Sequence, residues 1–364
     1  MNASSFFPSL PTLARLSRQT AAPFQILART TGYRLRPPAA REFVPGLTSR
    51  QHPLLASGVV GPQQRAEIRV EERSGPLPTI VVGGFVPDAT EAFYLLRGGL
   101  LRHGSVFYLN YPRRGFSTDL FLAQLEDLIE EIAVHRGQRP ALIAVSFGAG
   151  LVLELLRRSA LRGAELPLAG LTLVSPVACV ADLIDLSAPK PTTLLGRVIL
   201  PYLRGNAGPD GATVEKSRSV FLRMFESGAQ NQNAFRFLLT RAETRRLRDA
   251  VVGTINAIDA AGAFERVQAL NQLPAPDAPR VLFRGPSLVL YAEKESAVLQ
   301  EHGPTWRELS QRTTAWLPQG RCVVVTNSDD NPVQHASLIF HSRNFEPHLA
   351  QLYRRIRQQA VRAA

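Results

Sequence analysis

Ser146 has the sequence surroundings of a catalytic nucleophile. It follows an apolar run at residues 141–145 that is typical of a buried strand, and Gly148 and Gly150 open a helical pattern directly after it. A strand that turns sharply into a helix at a serine lifts the hydroxyl out of the sheet, and small neighbours let the chain pass closely. The pattern predicts a nucleophile for covalent catalysis, although a serine in this position can also simply cap the helix.

At this motif the sequence resembles the α/β-hydrolase family, whose nucleophile elbow reads G-x-S-x-G. Ala144 stands where the family has its first glycine, and Ser146 and Gly148 match the other fixed positions. The resemblance implies an oxyanion hole made by the backbone N–H groups of Phe147 and Phe85, because Phe85 follows two glycines at the end of an earlier strand pattern. Two glycines on their own would indicate only a tight strand exit.

The resemblance also implies a general base. In the family's chain order of serine, acid and histidine, the histidine follows the last strand. His335 lies a short loop beyond the apolar run at 322–326 and is the predicted base. His341 is the alternative, but its position falls within or beside the final helical pattern.

Several carboxylates compete for the role of the acid in the implied catalytic triad. The family carries G-x-x-D after its penultimate strand, and here Ala292 and Glu295 replace the glycine and the aspartate after the run at 287–291. Glu295 is therefore the predicted acid. The alternatives are Glu293, and Asp182 or Asp185 after the preceding strand.

Apolar runs and amphipathic helical patterns alternate along the chain around these residues. Continuous apolar strands indicate burial on both faces, and hence a mainly parallel sheet with right-handed crossovers. The runs lie at 79–82, 106–110, 141–145, 171–174 and 287–291. The predicted fold class is α/β, with a mainly parallel doubly wound sheet of the α/β-hydrolase type and a helical cap insertion.

The chain divides into three predicted regions. Residues 1–65 form a loop-rich N-terminal extension, residues 66–180 and 281–364 form the core, and residues 181–280 form the helical cap insertion. Large apolar side chains of the insertion either line an apolar cleft for an acyl chain or pack on the core. They are Phe221, Met224, Phe225, Phe235, Phe237 and Leu238.

The net charge of +12 does not indicate a nucleic-acid-binding protein. The arginines are scattered, and no dense basic run interleaved with aromatic residues occurs. The two cysteines, Cys179 and Cys322, are far apart and form no CxxC motif, so neither a disulfide framework nor a cysteine zinc site is expected. A reducing compartment, the cytoplasm, is the expected location.

Residues 1–41 contain arginines but no acidic residue, whereas no stretch of the chain approaches the roughly 20 apolar residues that span a bilayer. We expect no transmembrane segment. These residues, the N-terminal arm, are predicted to be a poorly ordered or peripherally packed extension, and organelle targeting or contact with a membrane surface are the alternatives.

Together these features predict a serine hydrolase that acts on a small-molecule ester or thioester through an acyl-enzyme on Ser146. The chemistry needs no metal and no organic cofactor. An acyltransferase or a serine peptidase would use the same three side chains, and a non-catalytic binding protein would keep the fold without them.

Overall fold

The computed structural model describes residues 40–185, 187–204, 210–230, 239–276, 280–328 and 331–363. Two of the expectations above therefore lie outside the described residues. They are the role of nearly all of the arm 1–41 and the placement of Phe235, Phe237 and Leu238.

Eight strands of the described residues form one sheet. They are β1 (Arg41–Glu42), β2 (Glu67–Glu71), β3 (Thr79–Val82), β4 (Val106–Asn110), β5 (Ala141–Val145), β6 (Gly170–Val174), β7 (Ser287–Ala292) and β8 (Gly320–Val325). The spatial order is β1-β2-β4-β3-β5-β6-β7-β8. Strands β3 to β8 run parallel, and β2 is antiparallel to both β1 and β4. The predicted mainly parallel α/β sheet is confirmed.

The central strands are apolar throughout because helices cover both faces of the sheet. In β5, Leu142 and Ala144 point into one hydrophobic core, whereas Ile143 and Val145 point into the core on the other face. This alternation follows from the two-residue period of a strand. The carboxyl ends of the parallel strands consequently meet at one edge, where ligand sites of such sheets usually form.

Twelve helices are described. They are α1 (Gln51–Ala56), α2 (Ala89–Ala92), α3 (Arg97–Leu100), α4 (Thr118–His135), α5 (Phe147–Leu161), α6 (Leu194–Arg204), α7 (Gly211–Gln230), α8 (Arg241–Ala257), α9 (Ala260–Gln272), α10 (Pro304–Gln311), α11 (Thr313–Trp316) and α12 (Ser342–Ala363). Helices α4 and α5 cover one face of the sheet, and α3 and α12 cover the other. Ser117 is the N-cap of α4, because its hydroxyl accepts a hydrogen bond from the Leu120 N–H at 3.3 Å.

The segment between β6 and β7 contains helices α6 to α9, and its described residues include no strand. Val267 and Leu270 of α9 pack into the main hydrophobic core, which is the one on the face of the sheet that α4 and α5 cover. Val251 and Ile255 of α8 form a separate apolar cluster with Phe340, which belongs to the loop before α12. The segment is thus anchored both to the sheet and to the loop that follows β8.

Candidate active site

Ser146 lies at the junction of β5 and α5 in a backbone conformation that an L-residue rarely adopts. Its φ is 51° and its ψ is −119°. Such a conformation typically costs about 1–3 kcal/mol and persists only where the surroundings impose it. Here the Ser146 N–H donates to the Val174 carbonyl at 2.8 Å, and the Ser146 carbonyl accepts from the Val177 N–H at 3.1 Å. The neighbouring strand end therefore holds the turn.

The glycines beside the serine are required by close backbone contacts. A Cβ on Gly148 would lie 2.2 Å from the Gly83 carbonyl oxygen, and one on Gly150 would lie 2.0 Å from the Val177 carbonyl oxygen. Gly84 approaches the serine itself, because a Cβ there would lie 3.2 Å from the Ser146 Cβ. The sequence pattern of small residues thus brings the turn after β3 against the start of α5.

His335 and Glu295 meet Ser146 in one chain of hydrogen bonds. The Nε2 atom of His335 lies 2.9 Å from the Ser146 Oγ, and its Nδ1 atom lies 2.5 Å from the Glu295 Oε2. Ser146 is 7% exposed and both partners are largely buried. Glu295 follows β7 and His335 follows β8, so two adjacent strand ends bring the two side chains to Ser146.

The rival residues have other partners. His341 is 2% exposed, and its Nδ1 bonds to the Ser337 hydroxyl at 2.8 Å. Glu293 accepts from the N–H groups of Asn327 at 3.0 Å and Val333 at 2.7 Å. It therefore fastens the loop that carries His335 rather than contacting the ring.

The two aspartates are equally occupied elsewhere. Buried Asp182 accepts hydrogen bonds from the backbone N–H groups of Ala178 and Thr305, and from the Thr305 hydroxyl. Asp185 accepts from the hydroxyl and the N–H of Ser187. Among these carboxylates, Glu295 is the one that contacts the imidazole.

Ser175 is a site residue that the sequence analysis missed. Its hydroxyl donates to the Glu295 Oε1 at 2.7 Å and accepts from the Ala336 N–H at 3.2 Å. The Oε1 atom also accepts from the Ala292 N–H at 2.7 Å, so one carboxylate oxygen is held while the other faces His335. The available signal was a polar residue directly after the buried strand β6, at the carboxyl edge of the sheet.

Phe85 and Phe147 lie side by side next to the serine. Their rings stack with centroids 4.4 Å apart and an angle of 11° between the planes. Phe147 is the first residue of α5, and an N–H in the first turn of a helix has no partner within that helix. The two residues are thus adjacent, and one of the two amides belongs to a helix start that favours negative charge.

Three charged side chains, those of Asp88, Glu91 and Arg113, lie close together near the turn after β3. Arg113 pairs with Asp88, and the Asp88 N–H donates to the Glu91 Oε2 at 2.9 Å. Burial and the neighbouring Asp88 charge raise the pKa of Glu91 to about 7, whereas Arg113 and the hydroxyl of Thr90 act in the opposite direction. Glu91 therefore exchanges its proton close to neutral pH.

Between pH 5 and pH 8, the free energy of unfolding is expected to fall by about 2 kcal/mol less in the Glu91→Gln variant than in the parent protein. With an ordinary pKa of 4.5 and a folded pKa of about 7, Glu91 stabilises the fold fully below pH 4.5. This contribution declines as the pH rises, because the unfolded chain releases the proton first, and it is lost above about pH 7. Urea unfolding at several pH values measures the effect. If the free energy of unfolding of the variant depended on pH as that of the parent protein does, the prediction would be wrong.

Side chains of the segment 181–280 divide between a cavity and the separate apolar cluster around Phe340. Phe221 lines a cavity of about 60 Å³ together with Phe85, Ile199 and Ile258. Phe225 instead packs on Phe340, with ring centroids 5.4 Å apart. An apolar cavity therefore adjoins the side chain of Phe85 beneath the helices.

Two further side chains of the segment 181–280 make structural contacts. Met224 packs against the main core. Arg248 of α8 forms an exposed ion pair with Glu226 at 2.7 Å.

The described residues contain neither a metal-binding cluster nor a membrane span. Among them no group of three or more His, Cys, Asp or Glu side chains is placed to hold a metal ion. None of their helices combines the length and the apolar character that crossing a bilayer requires.

Comparison with known proteins identifies similar structures but no similar sequence. No protein-family model matches the chain, and no curated protein matches it. A membrane phospholipase A, described as a bacterial virulence factor, aligns with a TM-score of 0.56 and 13% identity over 96% of both chains. A proposed aryl esterase from Burkholderia cenocepacia aligns with a TM-score of 0.53 and 16% identity, over 80% of this chain and 96% of that one. The esterase EaEST from Exiguobacterium antarcticum aligns with a TM-score of 0.51 and 15% identity, over 79% of this chain and 95% of that one.

Proposed function

We propose that this chain, which has the α/β-hydrolase fold, is a serine hydrolase that cleaves a carboxylic ester or thioester through an acyl-enzyme on Ser146. One observation carries the proposal. The Glu295 carboxylate, the His335 ring and the Ser146 hydroxyl form a continuous chain of hydrogen bonds, with distances of 2.5 and 2.9 Å. A serine, a base that accepts its proton and an acid that orients the base are the parts that acyl transfer requires.

In the first half of the reaction, the Ser146 Oγ attacks the substrate carbonyl carbon while its proton passes to the His335 Nε2. Glu295 holds the Nδ1–H and stabilises the imidazolium that forms. The carbonyl oxygen becomes negative and is bound by the N–H groups of Phe85 and Phe147. A preorganised donor of this kind is worth about 3–4 kcal/mol in the barrier.

In the second half, the imidazolium gives its proton to the leaving alcohol or thiol as the carbon–oxygen or carbon–sulfur bond breaks. Water then attacks the acyl-enzyme, and His335 takes a proton from it. The second tetrahedral intermediate collapses to the carboxylic acid, and the proton returns to the Ser146 Oγ. The cycle consumes one water and leaves the protein unchanged.

We further propose that residues 181–280 act as a cap on the core formed by 66–180 and 281–364, and that the acyl group enters beneath it. The cavity of about 60 Å³ beside Phe85 has almost wholly apolar walls, which suits a hydrocarbon group. The esterases and the phospholipase A that share the fold are consistent with an ester substrate.

Labelling with a fluorophosphonate probe tests this function directly. We expect the folded protein to gain one probe adduct, located by peptide mass spectrometry at Ser146, and the heat-denatured protein to gain none. A series of p-nitrophenyl esters and acyl thioesters then measures the preferred acyl length and leaving group. An added alcohol that diverts product from acid to ester would indicate acyl transfer. A folded protein that neither takes up the probe nor turns over any ester or thioester would refute the proposal.

A further inference from the structure

Arg266 is a fully buried cation in the segment 181–280 whose partners are main-chain carbonyls. Its Nη1 donates to the Phe85 carbonyl at 3.0 Å, and its Nη2 donates to the Pro112 carbonyl at 2.6 Å. The side chain is 2% exposed. Burial lowers its pKa to about 10, so the guanidinium remains charged at neutral pH.

No ion pair accounts for this burial. Among the described residues, no carboxylate lies within 4.0 Å of the Arg266 guanidinium, and the nearby Asp88 pairs with Arg113 instead. Taking a charge out of water costs several kcal/mol unless a partner offsets it. Asp88 and Asp259 act on the Arg266 charge only at longer range, so the groups in direct contact with it are main-chain carbonyls and the Tyr111 ring.

Tyr111 completes the arrangement from the other side. Its hydroxyl donates to the Gly83 carbonyl at 2.9 Å, and the Arg266 guanidinium carbon lies 5.0 Å from the centre of its ring. Burial holds the pKa of Tyr111 above its ordinary value, so the phenol stays protonated and continues to donate. Arg266 and Tyr111, the loop clamp, thus hold the carbonyls of Gly83 and Phe85.

These two carbonyls flank the peptide group that joins Gly84 to Phe85. Because each peptide plane is rigid, holding the planes before and after this group also holds the Cα atoms of Gly84 and Phe85 at its two ends, and so keeps the group in position. That peptide carries the Phe85 N–H, the donor that the proposed function assigns to the oxyanion. Gly84 also lies against Ser146, because a Cβ atom on Gly84 would be 3.2 Å from the Ser146 Cβ.

We propose that Arg266 is a positioning residue that orders the oxyanion loop, so that the segment 181–280 contributes directly to transition-state stabilisation. The inference rests on the proposed function. Because α9 supplies the arginine while β3 and α5 supply the loop and the nucleophile, a displacement of α9 would disorder the Phe85 amide. Arg266 also borders the cavity beside Phe85, but its Nη1 and Nη2 donate to the Phe85 and Pro112 carbonyls, so we expect it to act through the loop.

The Arg266→Met substitution tests this role, since methionine keeps an unbranched apolar stem without the donors. We expect kcat for the best ester to fall about 10- to 50-fold with KM changed less than about twofold, because loss of an oxyanion donor affects the transition state more than the bound substrate. The inhibition constant of a trifluoromethyl ketone should rise by the same factor as kcat falls. Arg266→Lys keeps the charge and one donor direction, and should recover part of the rate.

Arg97→Met is the matched control. Arg97 also lies 5.0 Å over a tyrosine ring, that of Tyr94, but it pairs with Glu71 at 3.1 Å, away from the loop. Its loss is expected to lower stability and leave kcat unchanged. If Arg266→Met does not fold, Arg266→Lys and Tyr111→Phe decide the matter, since both keep the packing and each weakens one side of the loop clamp.

Amide hydrogen exchange of residues 83–86 provides a measurement that does not depend on turnover. Exchange should accelerate in the folded Arg266 variants and not in Arg97→Met. If the parent protein shows no hydrolase activity, the proposed function fails, and the exchange rates still report on the loop clamp. Unchanged kcat and unchanged exchange in a folded Arg266→Met protein would overturn the inference.

Discussion

Alanine at Ser146 is expected to lower kcat for the best ester by about 10⁵- to 10⁶-fold, because the substitution removes the Oγ that forms the proposed acyl-enzyme. The His335→Ala variant should lose nearly as much. The double variant should lose no more activity than either single variant. The serine cannot give up its proton without the base, and the base has no serine proton to accept without the serine. Steady-state hydrolysis and probe labelling of the three proteins measure these effects.

Ser159→Ala is the control for this series. Ser159 lies in α5, the helix that follows Ser146, is also buried, and donates to the Ala164 carbonyl at 2.9 Å, remote from the site. Its loss should change stability slightly and leave hydrolysis intact. Persistent turnover or probe uptake by the Ser146→Ala protein would rule out the proposed nucleophile.

Glutamine at Glu295 is expected to lower kcat by about 10³- to 10⁴-fold without unfolding the protein. The Ser175 hydroxyl and the Ala292 N–H both donate to one oxygen of the carboxylate. In the variant the amide oxygen must face these donors, which turns the NH₂ group toward the Nδ1 of His335. The ring then carries its proton on Nε2 and cannot accept the proton of the serine.

Glu293→Gln distinguishes this tautomer effect from a general loss of negative charge. Glu293 accepts two backbone hydrogen bonds and does not touch the ring, and a glutamine carbonyl can accept the same bonds. Its rate should stay within about threefold of the parent. Equal losses in both variants would mean that the acid acts through charge alone or that Glu295 has been assigned wrongly.

Local sequence pattern was sufficient to predict the fold and the residues closest to Ser146. The predicted mainly parallel α/β sheet is confirmed, because strands buried on both faces must be apolar throughout and helices between them must be amphipathic. The elbow at Ser146 was readable since its small neighbours are sequence-local requirements. The roles of residues 1–41, the cytoplasmic location and the absence of nucleic-acid partners stay predictions.

The sequence by itself determined the sheet, the sharp turn at Ser146 and the two loops that carry the proposed base and acid. Only the tertiary structure decided that Glu295 rather than Glu293 or Asp182 faces the imidazole, since the direction of a loop side chain depends on what the loop packs against. It also revealed Ser175 and Arg266, whose partners lie 120 and 181 residues away in the chain. Contacts between elements so distant leave no periodic trace in the sequence, because the packing of strands and helices sets them rather than the order of neighbouring residues.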